Sequence, residues 1–150
     1  WKDFYAKIPY DYDVIQLAII NPAAVHVQMH RRFINDFSTA CYLITRHHAQ
    51  KLVNLHCRGD KYKIDQDSKP RAVADDLIYN SGNTFAIPLF LYKLELGSSI
   101  HDIHIHVFHK SSYEGIWQFW RNQAPNIENW NQYFDYDPYF NRIPPGFEGK

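Results

Sequence analysis

The sequence predicts an α/β domain, a mixed sheet flanked by helices, on three observations. Residues 13–20 (DVIQLAII) form a near-continuous apolar run, the pattern of a strand covered on both faces. Residues 40–44 read as a buried strand that passes through Thr45 into an amphipathic helix. Residues 84–92 are apolar and extended. At 150 residues the chain is one domain at most, and it is long enough to bury a core.

Each element follows from its residues. Trp1, Phe4, Tyr5 and Ile8 recur at helical spacing and predict a first helix that Pro9 ends. Asn21 and Pro22 break the apolar run behind it. Across residues 23–37 the pattern is mixed, and Val25 and Val27 alternating with His26 and Gln28 hint at a strand. Thr45 can cap a helix over residues 46–56 whose Ala49, Leu52, Val53 and His56 share a face. Residues 58–71 are charged and rich in turn formers, which predicts a surface loop. Its Arg58-Gly59-Asp60 triplet is too short to carry weight as an adhesion motif.

Residues 73–80 read as a short helix stopped by Ser81 and Gly82. Pro88 argues that the strand following it lies at an edge or a bulge. Ile103, Ile105 and Val107 alternate with His104 and His106, a strand with histidines on one side. Ser111 and Glu114 have capping-box spacing and open a helix whose face is Tyr113, Ile116, Trp117 and Trp120. Residues 123–150 lack periodicity and read as an aromatic, Pro-rich tail packed over a domain of residues 1–122.

Composition narrows the function. Sixteen basic and sixteen acidic residues cancel, which disfavours nucleic acid as a partner. No apolar run approaches the roughly 20 residues needed to span a bilayer, and no secretory signal is present, so a cytoplasmic location is expected. Cys41 and Cys57 are expected to be free thiols. Trp, Tyr and Phe make up 17% of the chain, enough for a sugar-stacking surface or for core packing alone. Gly-rich phosphate loops and Gly-x-Ser-x-Gly elbows are absent.

The adjacent carboxylates Asp75 and Asp76 open the helix of residues 73–80. Interaction with the helix dipole, worth about 0.3–1 kcal/mol, accounts for them without any function. The alternative is that one faces a cleft and takes a proton from an attacking hydroxyl, for which it must lie within hydrogen-bond reach and stay ionised. Among His101, His104, His106 and His109, the spacing matches no closed zinc site; one of them could complete a site built elsewhere. Two Asp-x-Asp pairs, Asp11/Asp13 and Asp135/Asp137, follow no apolar strand and read as loop residues.

With these segments in view, the chain resembles the C-terminal half of a GT-A-type glycosyltransferase. It is most similar to glycosyltransferase family 25, the lipooligosaccharide and collagen sugar transferases, and to related enzymes of large DNA viruses. The resemblance is carried by IPYDYDVIQL at 8–17, TACYLITRHHAQKL at 39–52, ADDLIY at 74–79, IPLF at 87–90 and SSIH at 98–101. It spans residues 1–112 and implies a GT-A-like, Rossmann-like sheet. It also implies a nucleotide-sugar donor, a UDP-sugar above all, and a glycan or glycoprotein acceptor. Mn²⁺ or Mg²⁺ would neutralise the departing diphosphate, with its main ligands in an Asp-x-Asp motif upstream of Trp1. Carried over by residue, Asp76 or Asp75 acts near the acceptor hydroxyl. Thr39, Tyr42 and Gln16 lie near the donor, and His106 or His109 supplies a downstream metal ligand. The rival expectation is a non-catalytic carbohydrate- or protein-binding module using the aromatic surface.

Overall fold

The apolar run at residues 13–20 becomes the centre of the molecule. The computed structural model describes residues 1–21, 26–62, 73–90, 109–123, 126, 128 and 130–137. In chain order these form α1 (Lys2–Lys7), β1 (Val14–Gln16), β2 (His30–Arg31), β3 (Tyr42–Ile44), α2 (Arg46–His56), β4 (Cys57–Arg58) and β5 (Lys61–Tyr62). There follow α3 (Ala74–Tyr79), β6 (Thr84–Ala86), α4 (Lys110–Gln123) and a 3₁₀ helix (Trp130–Phe134). The larger sheet has the order β2-β6-β1-β3, and it is mixed. β1 runs parallel to β6, with Gln16 opposite Ala86, and antiparallel to β3, with Gln16 opposite Tyr42. β2 runs antiparallel to β6. The α/β class read from the sequence is therefore the class of the fold.

Strand alternation divides the core into two layers. Ile15, Leu17, Phe85 and Ile87 join Phe4 and Met29 on one side, with Phe134 and Tyr136 packed against them. Phe4 is the only buried residue of α1. It meets Phe134 edge-to-face at 5.7 Å, so the 3₁₀ helix covers this layer together with α1. Val14, Gln16, Thr84 and Ala86 face the other way, toward α3. There Tyr79 is buried, stands edge-on to Tyr42 at 5.9 Å, and receives the Thr84 hydroxyl on its carbonyl at 2.7 Å.

Several elements depart from the sequence-based expectations, each for a physical reason. The segment before Thr45 is a half-buried edge strand rather than a buried one, because β3 has a neighbour only on the β1 side. Thr45 does cap α2, its Oγ1 accepting from the His48 amide at 3.2 Å. The face that α2 turns inward combines the expected stripe, of which Ala49, Leu52 and His56 are half-buried, with a buried polar residue outside it. Val53 stays 50% exposed, while His48 is fully buried with Nε2 3.0 Å from the Ile78 carbonyl. Lys51 Nζ likewise donates to the Ser81 carbonyl at 2.6 Å. The last carbonyls of a helix lack internal partners, and α2 supplies a donor to Ile78 at the end of α3 and another to Ser81 just beyond it.

β6 is an interior strand, not an edge. Pro88 is tolerated because the regular ladder ends at Ala86. Ile87 donates to the Gln16 carbonyl at 2.9 Å, Leu89 turns back to the Ile87 carbonyl at 2.9 Å, and Phe90 resumes contact with the Leu17 carbonyl at 3.0 Å, so the proline stands at an interruption of the pairing. The hint of a strand near residue 27 resolves differently. Residues 28–29 bond to the tail rather than the sheet, through Met29 N to Tyr133 O at 3.2 Å and Asp137 N to Met29 O at 2.7 Å. The start of the expected 58–71 loop is a tight hairpin, β4–β5, turning on Gly59 at φ +67°. α4 begins at Lys110, ahead of the expected capping box, and Trp117 is 48% exposed whereas Ser112 and Ile116 are buried. Ser112 Oγ is taken up by the Asn21 amide at 3.0 Å, which anchors α4 to the end of the central run. The histidine strand expected at residues 103–107 lies outside the described residues. Among the described residues, no helix is long and apolar enough to cross a membrane. Both cysteines are free.

Gly82, between α3 and β6, marks a close approach. A Cβ there would stand 2.5 Å from His48 Cε1 and 2.8 Å from Asp13 Cβ. His48 is locked by its bond to α3, and Asp13 by Oδ2 accepting from the Asn83 amide at 2.8 Å, so neither yields without loss. Gly82→Ala is expected to cost about 1–3 kcal/mol as an overpacked site. Urea denaturation should show a lower midpoint with an unchanged slope.

Candidate functional site

The parallel pair β1/β6 defines a carboxyl edge, where ligands gather in open α/β sheets. β3 runs against β1, so its leading residues, Thr39 to Tyr42, arrive at this edge. α3 leads back into β6, and its first turn, with Asp75 and Asp76, reaches the same place. The meeting point is Ser38. Its amide donates to Asp75 Oδ1 at 2.5 Å, and its carbonyl accepts from Tyr79 OH at 2.8 Å and from Gln16 Nε2 at 3.0 Å. Gln16 Nε2 also reaches the carbonyls of Phe37 at 2.9 Å and Asp36 at 3.2 Å, stitching residues 36–38 to β1.

Ser38 has φ +103°, the only non-glycine residue with positive φ among those described. For a residue with a Cβ this region costs on the order of 1–3 kcal/mol and persists only where the surroundings impose it. Asp75, Tyr79 and Gln16 impose it here.

The two carboxylates have different surroundings. Asp75 is half-buried, with Oδ1 held by the Ser38 amide and Oδ2 accepting no bond from the described residues. Asp76 is 0% exposed, and its backbone carbonyl receives the capping amide of Asn80. The Arg32 guanidinium lies 4.7 Å over the Tyr79 ring and donates to Asn80 Oδ1 at 2.7 Å and to the Asp36 carbonyl at 3.1 Å. Burial draws Arg32 below its ordinary value, against the pull of Asp36, Asp75 and Asp76. Burial, reinforced by Asp75, pushes the Tyr79 phenol far up, so it remains a hydrogen-bond donor at physiological pH.

Beside this lies a buried polar group that the sequence did not announce. Asp36 Oδ1 accepts from Asn21 Nδ2 at 2.8 Å, and Oδ2 accepts from the Phe33 amide at 2.9 Å and faces His30 Nε2 at 3.2 Å. His30 Nδ1 lies 2.8 Å from the Gln28 carbonyl. Both ring nitrogens face accepting oxygens, the Gln28 carbonyl on one side and the Asp36 carboxylate on the other, so the ring is held between two buried acceptors. The His26 ring stands edge-on to His30 at 5.0 Å, with Nε2 3.3 Å from Asp137 Oδ2. Burial and the neighbouring His30 lower the affinity of His26 for a proton, and Asp137 partly offsets this. Only the turn-forming Asn35-Asp36 pair between apolar residues could have drawn attention to this group.

Of the residues singled out from the sequence, Thr39, Tyr42 and Asp75 come together at the carboxyl edge, with Gln16 beneath them, 0% exposed and its Nε2 committed to the carbonyls of residues 36–38. Asp76 is on the same helix turn but sealed. His109 is half-buried immediately before α4, one turn ahead of the Ser112 that binds Asn21. His106 lies outside the described residues. The four aspartates of the Asp-x-Asp pairs are structural. Asp11 Oδ2 holds Asn83 Nδ2 at 2.9 Å, Asp13 holds the Asn83 amide, Asp135 pairs with Lys7, and Asp137 pairs with His26. Among the described residues no group of three His, Cys, Asp or Glu side chains is arranged to hold a metal ion. Both carboxylate oxygens of Asp36 are already occupied by protein donors, whereas Asp75 keeps Oδ2 open among the described residues.

No family model, curated protein or solved structure matches this chain.

Proposed function

We propose that this chain is the catalytic part of a GT-A-like glycosyltransferase that moves a sugar from a nucleotide-sugar donor, a UDP-sugar in the first instance, to a hydroxyl of a glycan or glycoprotein. The observation that carries this reading is the meeting of Thr39, Tyr42 and Asp75 at the carboxyl edge of the parallel strands, above the buried Gln16. The order of the resembling segments supports it. Asp75 is the base. With Oδ1 fixed on the Ser38 amide, Oδ2 takes the proton of the acceptor hydroxyl. The acceptor oxygen bonds to the anomeric carbon, the bond from that carbon to the diphosphate breaks, and the nucleoside diphosphate leaves. Asp76, sealed from solvent, supports the helix turn rather than the reaction.

The test is release of nucleoside diphosphate and sugar transfer to a panel of glycan acceptors. It should be run on the chain and on any longer protein containing it, with and without the Mn²⁺ or Mg²⁺ that the resemblance implies. Asp75→Asn is expected to lower the rate of transfer by about 10²–10⁴-fold with little change in donor KM. Transfer that persists undiminished in Asp75→Asn removes the assigned base.

A second reading is favoured by one surface feature. Trp1 (65% exposed), Tyr5 and Phe90 are exposed together, with Trp1 6.0 Å from Phe90 and 6.4 Å from Tyr5. Such a patch suits a carbohydrate-binding module. Glycan binding that is lost in Phe90→Ala and unaffected by Asp75→Asn, without any transfer, would select it.

A further inference from the structure

We propose that Ser38 is a positioning residue for Asp75, and that it works through a backbone conformation imposed on it from both ends. Its amide is fixed by Asp75, and its carbonyl by Tyr79 and Gln16. Its own hydroxyl accepts from the Ala40 amide at 3.2 Å, which ties the strained residue to the approach to β3. The angle between an amide and the carbonyl of the same residue is set by φ and ψ. If Ser38 relaxed to the negative φ that serine prefers, its amide would swing away while its carbonyl stayed anchored, and the bonds to Asp75 and Tyr79 could not both survive. The direction in which Asp75 offers its open oxygen is therefore decided by the Tyr79 phenol and the Gln16 amide, two side chains that make no hydrogen bond of their own to Asp75. Asp75, Ser38, Tyr79 and Gln16 act as one unit. The positioning holds whatever Asp75 does; its consequence for turnover rests on the transferase reading above.

The experiment uses amide NMR and thermal unfolding of the full chain. In the native protein the Ser38 amide proton should be shifted downfield by its short, charge-assisted bond and should exchange slowly. Tyr79→Phe removes only the anchor on the Ser38 carbonyl. It is expected to move the Ser38 amide resonance and speed its exchange on the order of tenfold, the equivalent of one hydrogen bond. Ser38→Gly, which takes positive φ without strain, is expected to raise Tm by about 2–4 °C, where serine-to-glycine changes ordinarily lower it. In a chain that transfers sugar, Tyr79→Phe should lower kcat while leaving KM for the acceptor unchanged. An unmoved Ser38 amide in Tyr79→Phe, or a lower Tm in Ser38→Gly, overturns the proposal. Amide and Tm changes as stated, in a chain that transfers no sugar, uphold the positioning unit and defeat the transferase reading instead.

Discussion

Asp36→Ala is expected to destabilise the protein by about 2–5 kcal/mol, because it removes a buried acceptor shared by several donors, each such loss costing about 1–3 kcal/mol. The side chain is 2% exposed and serves Asn21, Phe33 and His30 at once. Alanine removes the acceptor these groups share in a place water does not reach, and each lost bond carries its own cost. The loss extends beyond the residue. Asn21 is the point at which α4 is anchored through Ser112, and residues 36–38 are the segment that Gln16 stitches to the central strand. Chemical denaturation of Asp36→Ala against Asp36→Asn separates the two contributions. Asparagine keeps a carbonyl acceptor but puts an NH2 donor in place of the second oxygen, so it should fall between alanine and the native protein. Equal stability of all three would show that the His30 contact contributes nothing.

Phe4→Ala should have a loss of similar size, about 3–5 kcal/mol, but a different footprint. α1 has six residues, far too few for an isolated helix to persist, and Phe4 is its single buried side chain. Trp1, Tyr5 and Phe134 all pack on that ring. Truncation therefore removes the anchor of α1 and half of the seat for the 3₁₀ helix, leaving the Lys7–Asp135 pair, an exposed contact, to hold them together. Hydrogen exchange should show loss of protection at Met29 and Asp137, whose amides bond across this junction, together with lost protection in residues 2–7. Protection confined to the native pattern would mean that the tail docks independently of α1.

The sequence made some of this legible and hid the rest for reasons that can be named. The central strand was readable because burial on both faces leaves an uninterrupted apolar run, and α2 because Thr45 announces its start. α3 was readable from its acidic first turn and the glycine behind it. What was hidden depended on partners distant in sequence. The inward face of α2 takes in His48 because its ring meets the Ile78 carbonyl at the end of α3, so a polar residue is buried while Val53 of the expected stripe is exposed. Pro88 indicated an edge or a bulge, and only the strand order shows that the edge is the wrong one of the two. Asp36 lies in a segment without periodicity and acquires its role only through Asn21 and His30, at separations of 15 and 6 residues. The candidate site shows the same division. Gln16, Thr39, Tyr42 and Asp75 could be named in order along the chain, but the gathering of the last three at one edge above the first is a property of the strand order, and the conformation of Ser38 has no signature in a serine flanked by Phe37 and Thr39.

The strand order also fixes when the sheet can form. β6 lies between β1 and β2, so neither of those can be joined to the other until residues 84–86 exist. As the chain leaves the ribosome, only the antiparallel pairing of β1 with β3 is open to it, and the first half must wait with one flank of its central strand bare. Completion of the sheet is a late, long-range event, and translation pauses placed before residue 84 should leave a nascent chain that chaperones recognise.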